Sequence, residues 1–271
     1  VHIVNPLSQD LNVLRQTLIL NALEVVAYNA NRQCSSMKIF EYGSVYQRLP
    51  EKSGETLDGY EEHQNFCLAI CGASEKNWKG GGVKYDYFML KGYVELLLRR
   101  FGADVYQLWN DSAPSDVYDE GMTYKLPGGG KVLATMGKVS STLAKKIGVK
   151  QPVYVAEISW PVLFELIKRN KVMFHELPKY PEVKRDLALL LDENVTYGEL
   201  RAAAFKQSKK LLKNVTLFDV YRGDKIPQGK KQYALSFVFQ DAEKTLTDAD
   251  IERVMDSLLK TFQNSFGAIL R

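Results

Sequence analysis

The chain has 271 residues, of which 45% are hydrophobic, 25% charged and 11% aromatic, with a formal net charge of +4. This ordinary composition excludes disorder and fibrous structure, and at roughly 100 to 200 residues per domain it suits about two domains. Apolar stretches such as Val94 to Leu98, with Glu95 inside, fall far short of the roughly 18 residues a bilayer span needs, so no membrane partner is expected.

Val1 stands where an initiating methionine is expected, which suggests a piece of a longer protein. Asn5-Pro6 predicts a helix start, with Asn as cap and Pro at the first helical position, and a helix of about 25 residues running to Asn29. Its apolar residues form one stripe at Leu7, Leu11, Leu14, Leu18 and Val25 and a second at Val13, Leu20, Leu23 and Val26. A helix apolar on two sides is either central in its domain or covered by another chain. Leu11, Leu14, Leu18 and Val25 are the candidate interface residues.

Met37 to Tyr46 and His63 to Gly72 read as strands, Tyr85 to Phe101 as an amphipathic helix, and 131–138 and 153–159 as further strands. The expectation is an antiparallel sheet with flanking helices. Pro50 to Glu61 reads as a surface loop between two strands. Cys34, Cys67 and Cys71 are odd in number and awkwardly spaced, so they read as structural thiols in a reducing cytoplasm. His2, His63 and His175 are scattered, and no metal site is expected. Trp78 and Tyr85 hint at a pocket, although aromatic residues at such spacing usually fill cores. Gly80 to Gly82 and Gly128 to Gly130 read as tight turns, because neither fits a phosphate-loop pattern.

Leu177-Pro178-Lys179-Tyr180-Pro181 disfavours helix and predicts a connector. The division is a first domain over 1–175, a linker over 176–182 and a second domain over 183–271. In the second domain Arg185 to Leu191 reads as a strand, and Thr196 to Phe205 as a helix opened by Thr196-x-x-Glu199. Val215 to Tyr221 is a strand, Gly223 to Gly229 a turn, and Gln232 to Gln240 a strand with Tyr233, Leu235, Phe237 and Phe239 on one face. Thr247 caps a helix to about Phe266, and a short strand starts at Ala268. This β-α-β-β-α-β order is ferredoxin-like, a four-stranded sheet with helices on one face and the other face open.

Residues 206–231 carry eight Lys/Arg against Asp219 and Asp224, whereas 241–256 carry six acids against Lys244 and Arg253. An open sheet with an aromatic residue beside a lysine cluster suits single-stranded nucleic acid, since bases stack on the ring while cations track phosphates. The alternative is a solvated lysine face with Tyr221 as packing, in a module that binds a protein or a regulatory ligand without RNA. Architecture alone does not decide between them.

The segments NPLSQDLNVLRQTLI, KIFEYGSVY, DYFMLKGYVELLL, KYPEVKRDLALL and LFDVYRGDKIPQGKKQYALSFVFQDAEKTLTDADI, with the ending GAILR, resemble the C-terminal portion of bacterial phenylalanyl-tRNA synthetase β subunits. The resemblance implies an α+β chain: a class II synthetase-like antiparallel sheet module, then a ferredoxin-like βαββαβ anticodon-binding domain. It implies an α subunit partner in an α2β2 heterotetramer, tRNA-Phe as the RNA, no DNA, and ATP and Mg2+ in the holoenzyme but no cofactor in this stretch. Class II synthetases hold ATP with an arginine in a Phe-Arg-x-Glu strand and another after a Gly-x-Gly-x-Gly-x-x-Arg run, because developing phosphate charge requires fixed cations. The strand from Ile39 to Tyr46 carries Glu41 without the arginine, and the second run is absent. No catalytic residue and no adenylation are therefore expected of this chain. By resemblance, Tyr221 stacks on an anticodon base and Asp219 accepts from a base edge, with Arg222, Lys230, Lys231 and Gln232 beside them. Gln232 replaces a small hydroxyl residue of the family pattern, and Gly137 to Ser141 departs from its Gly-x-x-His-Pro element.

Overall fold

Apolar residues at every second position build the first sheet. β1 (Met37–Arg48) pairs antiparallel with β2 (Tyr60–Cys71) along its whole length, Met37 opposite Cys71 and Arg48 opposite Tyr60. β3 (Trp109–Ser112), β4 (Tyr118–Lys125), β5 (Val132–Val139) and β6 (Val153–Ser159) complete an all-antiparallel sheet of order β1-β2-β6-β5-β4-β3. Because side chains alternate across a strand, Cys67, Ala69 and Cys71 of β2 meet one core and Ile70 meets another. The first core is closed by Leu23 and Val26 of α1 (Ile19–Ala30) and Ala144 of α3 (Ser141–Ile147). The second is closed by Leu90, Val94 and Leu98 of α2 (Tyr87–Arg100) and Leu163 of α4 (Trp160–Ile167).

This computed structural model describes residues 2–9, 12–49, 57–76, 78–168, 176–224 and 226–271. The chain divides into two compact units, Val1–Val172 and Met173–Arg271. Among the described residues no helix is long and apolar enough to cross a membrane.

The predicted helix from Asn5 is a correction: helix begins only at Ile19. Upstream, where residues 10 and 11 lie outside those described, His2 bridges Val13 and the Ile3 amide donates to the Asn12 carbonyl. The Arg15 carbonyl accepts from the Tyr46 amide, and the Leu18 amide donates to Glu157 Oε1 at 2.8 Å. Backbone groups engaged by the sheet cannot join a helical ladder, so local cap chemistry yields to tertiary pairing. Thr17 Oγ1 instead accepts from the Ile19 amide at the true helix start. Trp78 is a second correction to the core-filling expectation, standing 90% exposed. Strand also reaches back over Tyr60 and Glu61, inside the predicted Pro50 to Glu61 loop, whose residues 50–56 lie outside those described. Gly128 and Gly129 occupy the left-handed region (φ 87° and 75°) in the β4–β5 turn, a conformation glycine adopts without strain.

The second unit runs β7 (Val183–Asp192), α5 (Tyr197–Gln207), β8 (Leu212–Tyr221), β9 (Lys230–Phe239), α6 (Asp248–Phe266) and β10 (Ile269–Leu270). The sheet order is β10-β7-β9-β8, all antiparallel. Both helices start with reciprocal capping boxes: Thr196 with Glu199, and Thr247 with Asp250. Leu189, Leu235, Phe237 and Phe239 of the strands are fully buried with Leu200, Leu258 and Phe262 of the helices. One sheet face is thereby covered.

Candidate nucleic-acid interface

The uncovered face is set by register. Tyr221 lies opposite Gln232, which lies opposite Leu190, and Asp219 lies opposite Ala234, which lies opposite Ala188. Two short rows result, one ending in an aromatic ring and one in a carboxylate, with alanines between as a low floor. Strict alternation would not produce this arrangement. Val215 is buried in the core and Leu217 packs against it, so an unbroken strand would send Asp219 and Tyr221 inward with them. A bulge at Phe218 intervenes: Leu217 pairs with Leu235 and Asp219 with the adjacent Ala234. The extra residue inverts the alternation, and Tyr221 emerges 41% exposed.

Tyr221 is braced from one side. A Cβ at Gly223 would stand 2.5 Å from Tyr221 Oη and 2.7 Å from its Cζ, so the ring lies directly over that glycine. Sequence reasoning missed Gly223, Ala188 and Ala234; the cue for Gly223 was a glycine two residues after an exposed aromatic at a strand end.

The predicted cations fare differently. Arg222 donates from Nε and Nη2 to Glu193 Oε1 at 2.9 and 2.7 Å while its side chain remains exposed. The guanidinium holds the Glu193 carboxyl below the usual carboxylate range. Lys230 pairs with Asp192 at 2.8 Å. Lys231 is turned inward: it is 4% exposed, its ammonium donates to the Glu193 carbonyl at 2.7 Å and it sits 4.7 Å above the Tyr233 ring. This departs from the expected phosphate-facing lysine, and the reason is register, because Lys231 shares the covered face with Leu191, its partner on β7. Gln232 Oε1 accepts from Arg271 Nη1 at 3.0 Å. Lys206, Lys209, Lys210 and Lys213 are exposed, and Lys225 lies outside the described residues. The structure thus gathers Asp219, Tyr221, Arg222 and Gln232 at one end of the open face.

Of the candidate interface residues in the first unit, Leu11 lies outside the described residues, Leu14 is half-buried, Leu18 is fully buried and Val25 is 45% exposed. The two predicted stripes are redistributed: Leu18, Leu23 and Val26 join the chain's own core, while Leu20, Val25 and Tyr28 point outward.

The first unit also holds a cleft on the α1 face of its sheet. A cavity of about 470 Å³ is lined by Glu61, His63, Asn65, Lys131, Glu157 and Glu165 among others. A neighbouring one of about 350 Å³ is lined by Ile19, Leu20, Asp116, Val117, Tyr118 and Leu143 among others, and the two share Thr135 and Glu157. Among the described residues the two linings carry four carboxylates and one lysine, itself paired with Glu165 at 2.7 Å, a surplus of negative charge that disfavours a triphosphate. Among the described residues no group of three or more His, Cys, Asp or Glu is placed to hold a metal ion. Burial pushes the Cys67 thiol up, with Glu157 adding to the effect, so it remains a protonated core residue.

Residues 1–160 match the family model described as the phenylalanyl tRNA synthetase beta chain CLM domain, and residues 178–271 match the ferredoxin-fold anticodon binding domain. The chain is 40% identical over 274 residues to the phenylalanine–tRNA ligase beta subunit of Bacteroides fragilis, covering 100% of this chain and 33% of that protein. Identity to the same subunit of Porphyromonas gingivalis is 41%, and of Geobacillus kaustophilus 33%, with the same coverage. The chain therefore spans about a third of the length of these relatives. Among solved structures, Desulfitobacterium hafniense PylSc, a pyrrolysyl tRNA synthetase, aligns with a TM-score of 0.44 at 17% identity, over 60% of this chain and 53% of that one.

Proposed function

Because the chain belongs to the phenylalanyl-tRNA synthetase β-chain family, we propose that it works within a phenylalanine–tRNA ligase as a non-catalytic support for the α subunit joined to a reader of the tRNA-Phe anticodon. Residues 1–175 form the support, 176–182 the connector and 183–271 the reader.

One observation carries the reader: Tyr221 stands exposed on the helix-free face of the second sheet, with Asp219 on the same face and Arg222 and Gln232 next to it. The ring is a stacking platform, worth roughly 1 to 3 kcal/mol per base. Asp219 is an acceptor-only carboxylate when ionised, suited to the N–H groups on a guanine edge. Arg222, exposed though tethered to Glu193, supplies a cation for a phosphate. The lysines contribute a salt-sensitive background that does not discriminate sequence.

For the support, the outward residues Val25 and Tyr28 of α1, with half-buried Leu14, are the surface for the α subunit in an α2β2 assembly. ATP and Mg2+ serve the holoenzyme's chemistry elsewhere. The carboxylate-lined cleft of this chain does not fit a triphosphate, and no step is assigned to it here. The cytoplasm is the compartment. The test is tRNA-Phe binding by the complete enzyme carrying Tyr221→Ala. Affinity should fall between severalfold and about a hundredfold, and an unchanged affinity removes Tyr221 from the interface.

A further inference from the structure

The cleft that does not suit ATP has features of its own. Asn65 and Tyr118 are 8% and 3% exposed, and Asn65 Oδ1 and Tyr118 Oη have no hydrogen-bond partner among the described residues. Each such buried group costs roughly 1 to 3 kcal/mol when left unpaired. Both residues line cavities that share one carboxylate. Glu157 lies in the wall common to both cavities, Asn65 lines one of them and Tyr118 the other. Register supports the grouping: Glu157 pairs with Cys67 on β2, two residues from Asn65, and with Thr135 on β5. These residues share a sheet face.

Glu157 is held rigidly, with Oε2 accepting from Thr17 Oγ1 at 2.7 Å and Oε1 from the Leu18 amide at 2.8 Å. A carboxylate oxygen offers about two acceptor sites, so one remains on each after these bonds. The second cavity adds an apolar wall of Ile19, Leu20, Val117 and Leu143. Volumes of 470 and 350 Å³ fall within the roughly 300 to 1,000 Å³ of small-molecule sites. Together the two linings offer oxygen acceptors and negative charge where they meet at Glu157 and aliphatic surface in the second. A primary ammonium carries three N–H donors and no acceptor, and a hydrocarbon stem matches the remainder.

We infer that this cleft binds a small primary amine, its ammonium docked on Glu157 and Asn65 Oδ1 and its apolar stem lying along Leu20 and Leu143 beneath Tyr118. Anionic ligands are repelled by Glu61, Glu157, Glu165 and Asp116, and a neutral alcohol of the same shape leaves the central carboxylate without a cation.

The test is calorimetric titration of the chain with n-hexylamine, n-hexanol and hexanoate at neutral pH. Hexylammonium should bind at a single site, roughly tenfold or more tighter than either analogue, and Glu157→Gln should weaken it by about the same factor. Asn65→Leu, close to isosteric, should weaken the amine severalfold while leaving the folded circular-dichroism spectrum unchanged. It decides the matter if Glu157→Gln disturbs folding through its bonds to Thr17 and Leu18. The inference is overturned if no saturable binding occurs at millimolar amine, if hexanol or hexanoate binds as well, or if the amine binds a folded Asn65→Leu chain as it binds the parent.

Discussion

Replacing Gly223 by alanine inserts a methyl carbon 2.5 Å from Tyr221 Oη, 2.7 Å from Cζ and 3.3 Å from Cε1. No backbone strain accompanies the change, since the φ of Gly223 lies outside the left-handed region. The end of a flexible side chain must move instead. Because Tyr221 is already 41% exposed, swinging its ring into solvent costs the fold little, within about 0.5 kcal/mol as for other surface changes. If that ring is the stacking platform, displacing it forfeits some or all of roughly 1 to 3 kcal/mol, a loss of about fivefold to a hundredfold in affinity. The assay pairs thermal melting with filter binding of tRNA-Phe to the complete enzyme carrying Gly223→Ala, Tyr221→Ala or both. Coupling is the decisive quantity, because residues in contact are non-additive. Gly223→Ala should weaken binding in the parent and do nothing further once Tyr221 is gone. Equal losses in both backgrounds would show that the glycine acts otherwise than through the ring, and the reasoning would fail.

Three further outcomes are expected. Phe237→Ala removes a ring stacked on Phe239 at 6.3 Å and tilted against Phe262 at 6.2 Å in a fully buried site, and should cost about 3 to 5 kcal/mol; denaturant unfolding giving less than about 1 kcal/mol would contradict the packing. Lys231→Ala should lower stability by about 1 to 3 kcal/mol through loss of its charge-assisted hydrogen bond to the Glu193 carbonyl while leaving the salt slope of RNA binding unchanged; a flatter slope with no stability loss would put the ammonium outside. Asp250 is held down to about 2 by Lys244 first and then by the Thr247 amide and hydroxyl. A depressed folded-state value stabilises above the unfolded value near 4 and loses that contribution as pH falls toward 2. Asp250→Asn should therefore flatten acid destabilisation between about pH 4 and pH 2 in melts across that window, and an unaltered profile would dismiss the pairing.

Much of the second unit was readable from sequence because its signals are local. Thr196-x-x-Glu199 forms the box it spells, Thr247 caps the last helix, and Tyr233, Leu235, Phe237 and Phe239 share the covered face as their spacing requires. What escaped reading is governed by partners distant in sequence. Asn5-Pro6 carries a helix-start signal, yet further along the Arg15 carbonyl and the Leu18 amide are engaged by Tyr46 and Glu157. β3 and β4 went unpredicted because WNDS and YDEGMTYK mix polar residues with few apolar ones and are strands through pairing with neighbours. At the candidate site, Tyr221 and Asp219 were named by resemblance, whereas the inward turn of Lys231 follows from its pairing with Leu191 on a neighbouring strand. A run of lysines in a sequence does not tell which of them meets solvent.

The one-residue bulge at Phe218 makes strand length an inherited variable in its own right. Removing that residue would alter almost nothing in composition, hydropathy or charge, yet it would carry the phenol and the carboxylate beyond it to the opposite side of the sheet. A gap or insertion within β8 therefore reaches further than most single substitutions there, because it turns every side chain beyond it to the other face.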